Sequence, residues 1–262
     1  QRVSGSIRWA ELEQRTVISV GAQILSACSV LTFAVWERPN YHSSPSIARS
    51  LDAAFKQANV QPSDISLHDF YSCFPIVPKM ACLSLSLPID SHSRPLTLIG
   101  GLTSFGGAGN NYSMHAIAEM TRELREKDAR QKHGLVLANG GNMTYQHVLI
   151  LSGSPRKEGA YPTNNPLPEM ITDVPVPKVL EEAEGAATVE TYTVQFARDG
   201  SPETGFVVGR LATGERFVAN HGDERTLSEL ASWEIEPVGR SGWVKKGNDG
   251  RNLFVFDDKA KL

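Results

Sequence analysis

The chain has 262 residues, 26 Lys and Arg against 29 Asp and Glu, a formal net charge of −3, 40% hydrophobic residues and 21% charged ones. That balance is globular and leaves room for one large domain or two; it excludes the basic field of a nucleic-acid binder and an acidic tail. Cys28, Cys73 and Cys82 have neither metal-ligand spacing nor the pattern of a disulfide framework, so no metal site is expected and a reducing compartment fits best.

Residues 1–38 give no clear element. Within them 16–36 carries no charge and is long enough to span a bilayer. Ser19, Gly21, Gln23, Ser26, Ser29 and Thr32 dilute it, so the expectation is a buried strand or helix and no membrane span. Residues 45–59 read as a helix with Ile47, Leu51, Ala54 and Phe55 on one face, Ser44 as N-cap and Pro45 in the first turn. A turn at Pro62, Ser63 and Asp64 leads to a strand at 65–71. Residues 74–87 form a second helix, Ile76, Met80, Leu83 and Leu87 sharing a face, with Pro75 and Pro78 confining it to after its first turn.

Residues 94–119 carry the most distinctive pattern, RPLTLIGGLTSFGGAGNNYSMHAIAE. An apolar run at 96–99 predicts a buried strand, ended by Gly100 and Gly101. Gly106, Gly107 and Gly109 follow, then Asn110 and Asn111, either of which can cap the next helix. That helix starts at Tyr112, with Met114, Ile117, Ala118 and Leu124 recurring at helical spacing. Glycines admit close approach of a ligand, and a helix N-terminus favours anions, so a phosphate-bearing group suits this loop. A plain turn needs glycine too, and the spacing misses the dinucleotide fingerprint. Residues 134–139 are a strand, Gly140 and Gly141 a turn, and 147–152 its hairpin partner. Alternation of this kind predicts a layered α/β domain.

Six of the fifteen prolines fall between Pro155 and Pro177, marking a linker. Beyond it the period becomes two: strands at 188–196, 206–211, 216–219, 232–238 and 253–256, turns at Arg198-Asp199-Gly200 and Asn248-Asp249-Gly250, and one short helix at 226–230. This predicts a small, mostly β domain of the OB type. Trp233, Trp243, Tyr192 and Phe206 could stack bases beside Arg240, Lys245, Lys246 and Arg251. Acidic Glu181, Glu182, Glu184, Asp257 and Asp258 flank them, and aromatics in so small a barrel are mostly core. The reading is therefore a packing role and no nucleic acid.

Three segments of the first domain resemble the C-terminal half of a thiolase. Asp69-Phe70-Tyr71-Ser72-Cys73-Phe74 lies where thiolases carry an acidic residue, a spacer, then Asn-Glu-Ala-Phe or His-Asp-Cys-Phe. The glycine stretch lies where they carry Gly-Gly, a Gly-His-Pro loop and a helix. LVLANGGNMTYQHVLILS lies where they carry a Cys-x-Gly loop between the last strands. The β domain, with VETYTVQFARDGSP and GRLATGERFVAN, resembles the extra C-terminal domain of the type 1 thiolase-like proteins, often called acetyl-CoA acetyltransferases. The resemblance spans roughly residues 39–256.

What the resemblance implies is an α/β thiolase-like half, layered αβα, at 39–154 and a small OB-like β domain at 179–262. The Pro-rich linker at 155–178 joins them, 1–38 is a remnant, and the N-terminal half is missing. It implies acyl-CoA acyltransferase chemistry in lipid metabolism, a coenzyme A thioester as substrate, no permanently bound cofactor, and a homo-oligomer or a partner half-domain. The family's activating histidine falls on Gly107 and its second cysteine on Ala138, so the usual acid/base set is altered. Cys28 is a conceivable imitation of the nucleophile. Tyr71 takes the place of the Asn or His that helps bind the thioester oxygen. Cys73, His115 and His147 are the remaining candidates for catalysis, and Gly106, Gly107, Gly109, Asn110, Asn139 and Gly140 for substrate binding. The second reading is a non-catalytic binding or scaffold module from a truncated gene. The final Ala260-Lys261-Leu262 resembles a peroxisomal address, the cytoplasm being the other location.

Overall fold

The computed structural model describes residues 23–31 (by their backbone), 35–90, 95–126, 132–141, 143–156 and 164–257. The chain forms two compact units. One takes the residues up to 32 together with 42–171, the other takes 33–41 together with everything from 172.

The first unit has a four-stranded sheet of β1 (Gln23–Leu31), β2 (Ile65–Phe70), β3 (His133–Gly140) and β4 (Tyr145–Ser152), in the order β1-β4-β3-β2. β2 and β3 are parallel and the other pairs antiparallel. The uncharged run thus contributes β1. The side chain of Cys28 and the whole of 258–262, including the C-terminal tripeptide, lie outside the described residues. No helix among the described residues is long and apolar enough to cross a membrane.

Helix α1 (Pro45–Ala58) begins where proline fits without losing a helical bond, and Ser44 Oγ accepts the Ile47 N–H. Ser44→Ala should therefore cost about 1 kcal/mol, read as a lower urea midpoint at unchanged slope. Asn59 closes the helix in the left-handed region, φ 56°. Helix α2 (Ile76–Leu85) follows β2. Both helices pack on one face of the sheet, Ile47, Leu51, Val77 and Met80 meeting Leu135, Leu137, Val148 and Ile150. Helix α4 (Tyr112–Leu124) covers the other face, where Ala116, Met120 and Leu124 meet Val136, Leu149 and Leu151. The unit is an αβα layer structure.

Four details differ from the sequence reading. Residues 96–99 are not a strand: Phe70 N–H donates to Leu96 O, but a turn follows, with Gly100 N–H on Thr97 O. Asn110 and Asn111 lie in a 3-10 turn running straight into α4, and neither caps it; Asn111 is already helical. The buried stripe of α4 is Tyr112, Ala116, Met120 and Leu124, leaving Met114 51% exposed. On α2 the stripe is Val77, Met80, Ala81 and Cys82, and Leu83 faces out. In both helices more apolar residues are present than one face takes, so periodicity alone misassigned it.

The second unit is a five-stranded barrel of β6 (Gly185–Phe196), β7 (Pro202–Leu211), β8 (Arg216–His221), β9 (Ser241–Lys246) and β10 (Asn252–Phe256). A two-residue β5 (Val179–Leu180) pairs with the start of β8. β6 pairs with both β7 and β9, β9 with β10, and β10 closes the barrel by running parallel to β8. Helix α5 (Glu224–Ala231) joins the third barrel strand to the fourth, capped by Asp223 Oδ1 on Thr226 N–H at 2.7 Å. This is the strand order of an OB-type barrel. Residues 232–238 form no strand, and β9, unread in the sequence, takes that place in the order. Phe217, Phe254 and Phe256 fill the core with Val189, Val207 and Val244. Trp233, Trp243 and Phe206 stand outside it, and Tyr192 is half-buried against it, so three of the four aromatics expected inside are not.

Candidate functional site

Parallel pairing puts the C-terminal ends of β2 and β3 at one edge of the sheet, Phe70 opposite Leu137. Tyr71 N–H donates to Leu137 O at 2.9 Å, carrying the pairing one residue further. The chain then turns, and Cys73 Sγ donates to Asn139 Oδ1 at 2.9 Å. The Asn139 amide nitrogen donates to Tyr71 O, also at 2.9 Å. One buried amide therefore orients both the thiol and the backbone before it. Burial pushes the Cys73 thiol up, and the hydrogen bond from Phe74 N–H pulls the other way without cancelling it. At neutral pH Cys73 is a thiol. Alkylation by iodoacetamide should show a midpoint above the ordinary cysteine value of about 8.5.

The glycine stretch is latched to the same edge. Ile99 N–H donates to Asp69 Oδ2 at 3.1 Å and Leu102 N–H to Ser72 Oγ at 3.4 Å. Gly101, at φ +73°, faces Ser72 Oγ so closely that a Cβ would sit 2.6 Å from it. The short helix α3 (Gly101–Phe105) starts there. Asp69 is fully buried. Burial raises its pKa against the opposing hydrogen bonds from the Ile99 and Leu98 N–H groups and from Tyr112. Gly106, Gly107 and Gly109 behave differently: nothing lies within 4 Å of where their Cβ atoms would be. Their open side is free for a ligand to approach the backbone.

Tyr71 stacks on Tyr112 at 4.8 Å, Phe105 meets Tyr112 edge-on at 5.7 Å, and His115 lies on Phe105 at 4.9 Å. Tyr71 and His115 thus belong to an aromatic cluster beside the glycine loop. His147 is opposite Ala138 in the ladder and Tyr145 opposite Gly140. Alternation along β3 turns Ala138 and His147 to the α4 face and Asn139 to the α2 face. The sheet therefore separates His147 from the Cys73–Asn139 pair. Desolvation by neighbouring protein lowers the His147 pKa from the ordinary histidine value, although the residue keeps an exposed side. Cys73, Asn139 and the backbone of Tyr71 come together; His115 and His147 do not join them. The sequence reading missed Asp69 and Ser72 as the loop's anchors. A lone acid in the strand LHDFY was a usable signal, because a buried carboxylate needs donors.

Residues 166–250 match the family profile of the thiolase-like protein type 1 additional C-terminal domain. A monomeric SCP2-thiolase like protein type 1 from Mycobacterium smegmatis superposes with a TM-score of 0.76 at 33% identity over 90% of this chain. The chain carries the additional C-terminal domain of the type 1 thiolase-like proteins behind a thiolase-like αβα unit. It spans 51% of the length of that relative. The peroxisomal 3-ketoacyl-CoA thiolase of Saccharomyces cerevisiae is also similar, at 14% identity and a TM-score of 0.38, over 51% of this chain and 34% of that one. No curated protein matches the chain. The barrel falls within the matched additional domain.

Proposed function

We propose that the chain handles acyl-CoA, with its site at the shared edge of β2 and β3 and an acid/base set unlike that of ordinary thiolases. The observation that carries this reading is the Cys73–Asn139–Tyr71 bridge beside a glycine loop whose backbone is open on one side. Glycine at 107 and alanine at 138 hold no proton, and general acid/base groups contribute about 10²–10⁴-fold each. Conventional thiolysis of acetoacetyl-CoA by this chain should therefore be absent or slower by orders of magnitude. Turnover at ordinary enzyme rates, followed at the enolate absorbance, would refute the reading of an altered site.

A non-catalytic acyl-CoA binding module is the second reading, favoured by the raised pKa of Cys73 and the separation of His147 from it. Intact-mass spectrometry after incubation with acyl-CoA divides the two. A hydroxylamine-sensitive acyl adduct on Cys73 supports transfer, and saturable binding without an adduct supports the module. Helix α2 is apolar beyond its sheet-facing side, Leu83 being 58% exposed. Leu83 shares that side with Lys79 and Ser84. This chain spans only 51% of the relative, whose structure is that of a monomer, so we propose that further thiolase-like chain, rather than a second copy, covers α2.

A further inference from the structure

Barrels of the OB type take their ligands on the second and third strands, here β7 and β8. The register along them is Arg210 with Arg216, Val208 with Val218 and Phe206 with Asn220. Phe217 and Ala219 fill the core, so Arg216, Val218 and Asn220 point away from it. An outward arginine on a barrel is ordinarily solvated, yet Arg216 is 0% exposed.

What covers Arg216 is residues 35–41, a segment from far earlier in the chain that belongs to the barrel unit. Arg216 Nη1 donates to Trp36 O at 2.8 Å and to Arg38 O at 2.5 Å. Its guanidinium lies 5.0 Å from the centre of the Tyr41 ring. Arg216 Nε donates to Glu190 Oε2 at 2.5 Å, and Arg210 Nε takes the other oxygen at 2.7 Å. Two carbonyls, a carboxylate and a ring enclose one cation. Because two of these groups are backbone carbonyls, the barrel grips the path of the segment more than its side chains.

We propose that residues 35–41 are a built-in ligand of the barrel, held in cis on the face that such barrels use for oligonucleotides or oligosaccharides, with Arg216 as the clasp. Glu190 neutralises part of the positive charge on this face, which suits a peptide carbonyl better than a run of phosphates.

The test uses the full chain. Arg216→Met removes the clasp, and nicking by a Glu-specific protease at Glu37 should accelerate about tenfold or more, with faster amide exchange over 35–41 and unchanged exchange in β3 and β4. Tyr41→Leu keeps the ion pair and both carbonyl bonds and should give a smaller acceleration; it decides the matter if Arg216→Met unfolds the barrel. An oligo-dT of about fifteen nucleotides should not bind the wild-type chain. Equal nicking rates in the wild type and the folded variants would overturn the proposal. So would oligo-dT binding that protects β7 and β8 while the strap stays in place.

Discussion

Replacing Asp69 by alanine is expected to destabilise the αβα unit by about 3 kcal/mol, since it leaves a buried N–H without its acceptor and a buried hydroxyl facing a void. Ile99 N–H donates to Asp69 Oδ2, and the Tyr112 hydroxyl lies against the same carboxyl. Asp69→Asn keeps an acceptor and should cost far less. The two variants also separate in pH. Burial holds the folded Asp69 pKa above its unfolded value, so between the two the folded state binds the extra proton. The stability from that proton is fully present below about 4 and is lost as pH rises through the raised pKa. Wild-type urea midpoints should accordingly fall across that window, and Asp69→Asn should remove this slope. A slope of the same size in Asp69→Asn would show that another group sets it.

Gly242→Ala should be similarly damaging in the barrel, about 3 kcal/mol, because an added Cβ would drive into Val255 O and the Phe254 ring. Backbone oxygen cannot swing aside as a flexible side chain can. Gly107→Ala is the contrast: with open space at its Cβ position and no positive φ, it should leave the melting temperature unchanged. If the glycine loop cradles a ligand, that same substitution should weaken acyl-CoA binding. Barrel unfolding is read by far-ultraviolet circular dichroism and by loss of exchange protection over β9 and β10.

The αβα layers were legible because α1 carries its own start signal at Ser44-Pro45 and its stop at Asn59, and because β3 and β4 are apolar and separated by glycine. The barrel was legible from its period-two strands and its two glycine turns. β9 was not: SGWVKK carries only Trp243 and Val244 as apolar residues, and Val244 alone points into the core. The run at 96–99 looked like a strand because it is apolar. Asp69, thirty positions earlier, captures the Ile99 N–H that a ladder would have used. The acid in LHDFY signals that donors are needed, but nothing local says that Ile99 supplies one. The same holds for the site. Cys73 and Asn139 were visible as candidates, but their hydrogen bond depends on the parallel register of β2 and β3. His147 was visible as a residue, and only the alternation of β3 and β4 shows that it lies on the other face.

Hydrogen exchange with and without saturating acyl-CoA tests the central claim most directly. The account predicts added protection in three separate peptides, 69–74, 97–109 and 137–141, with none over β7 and β8. Saturable binding that leaves those three peptides unprotected, or protection confined to the barrel, would contradict it.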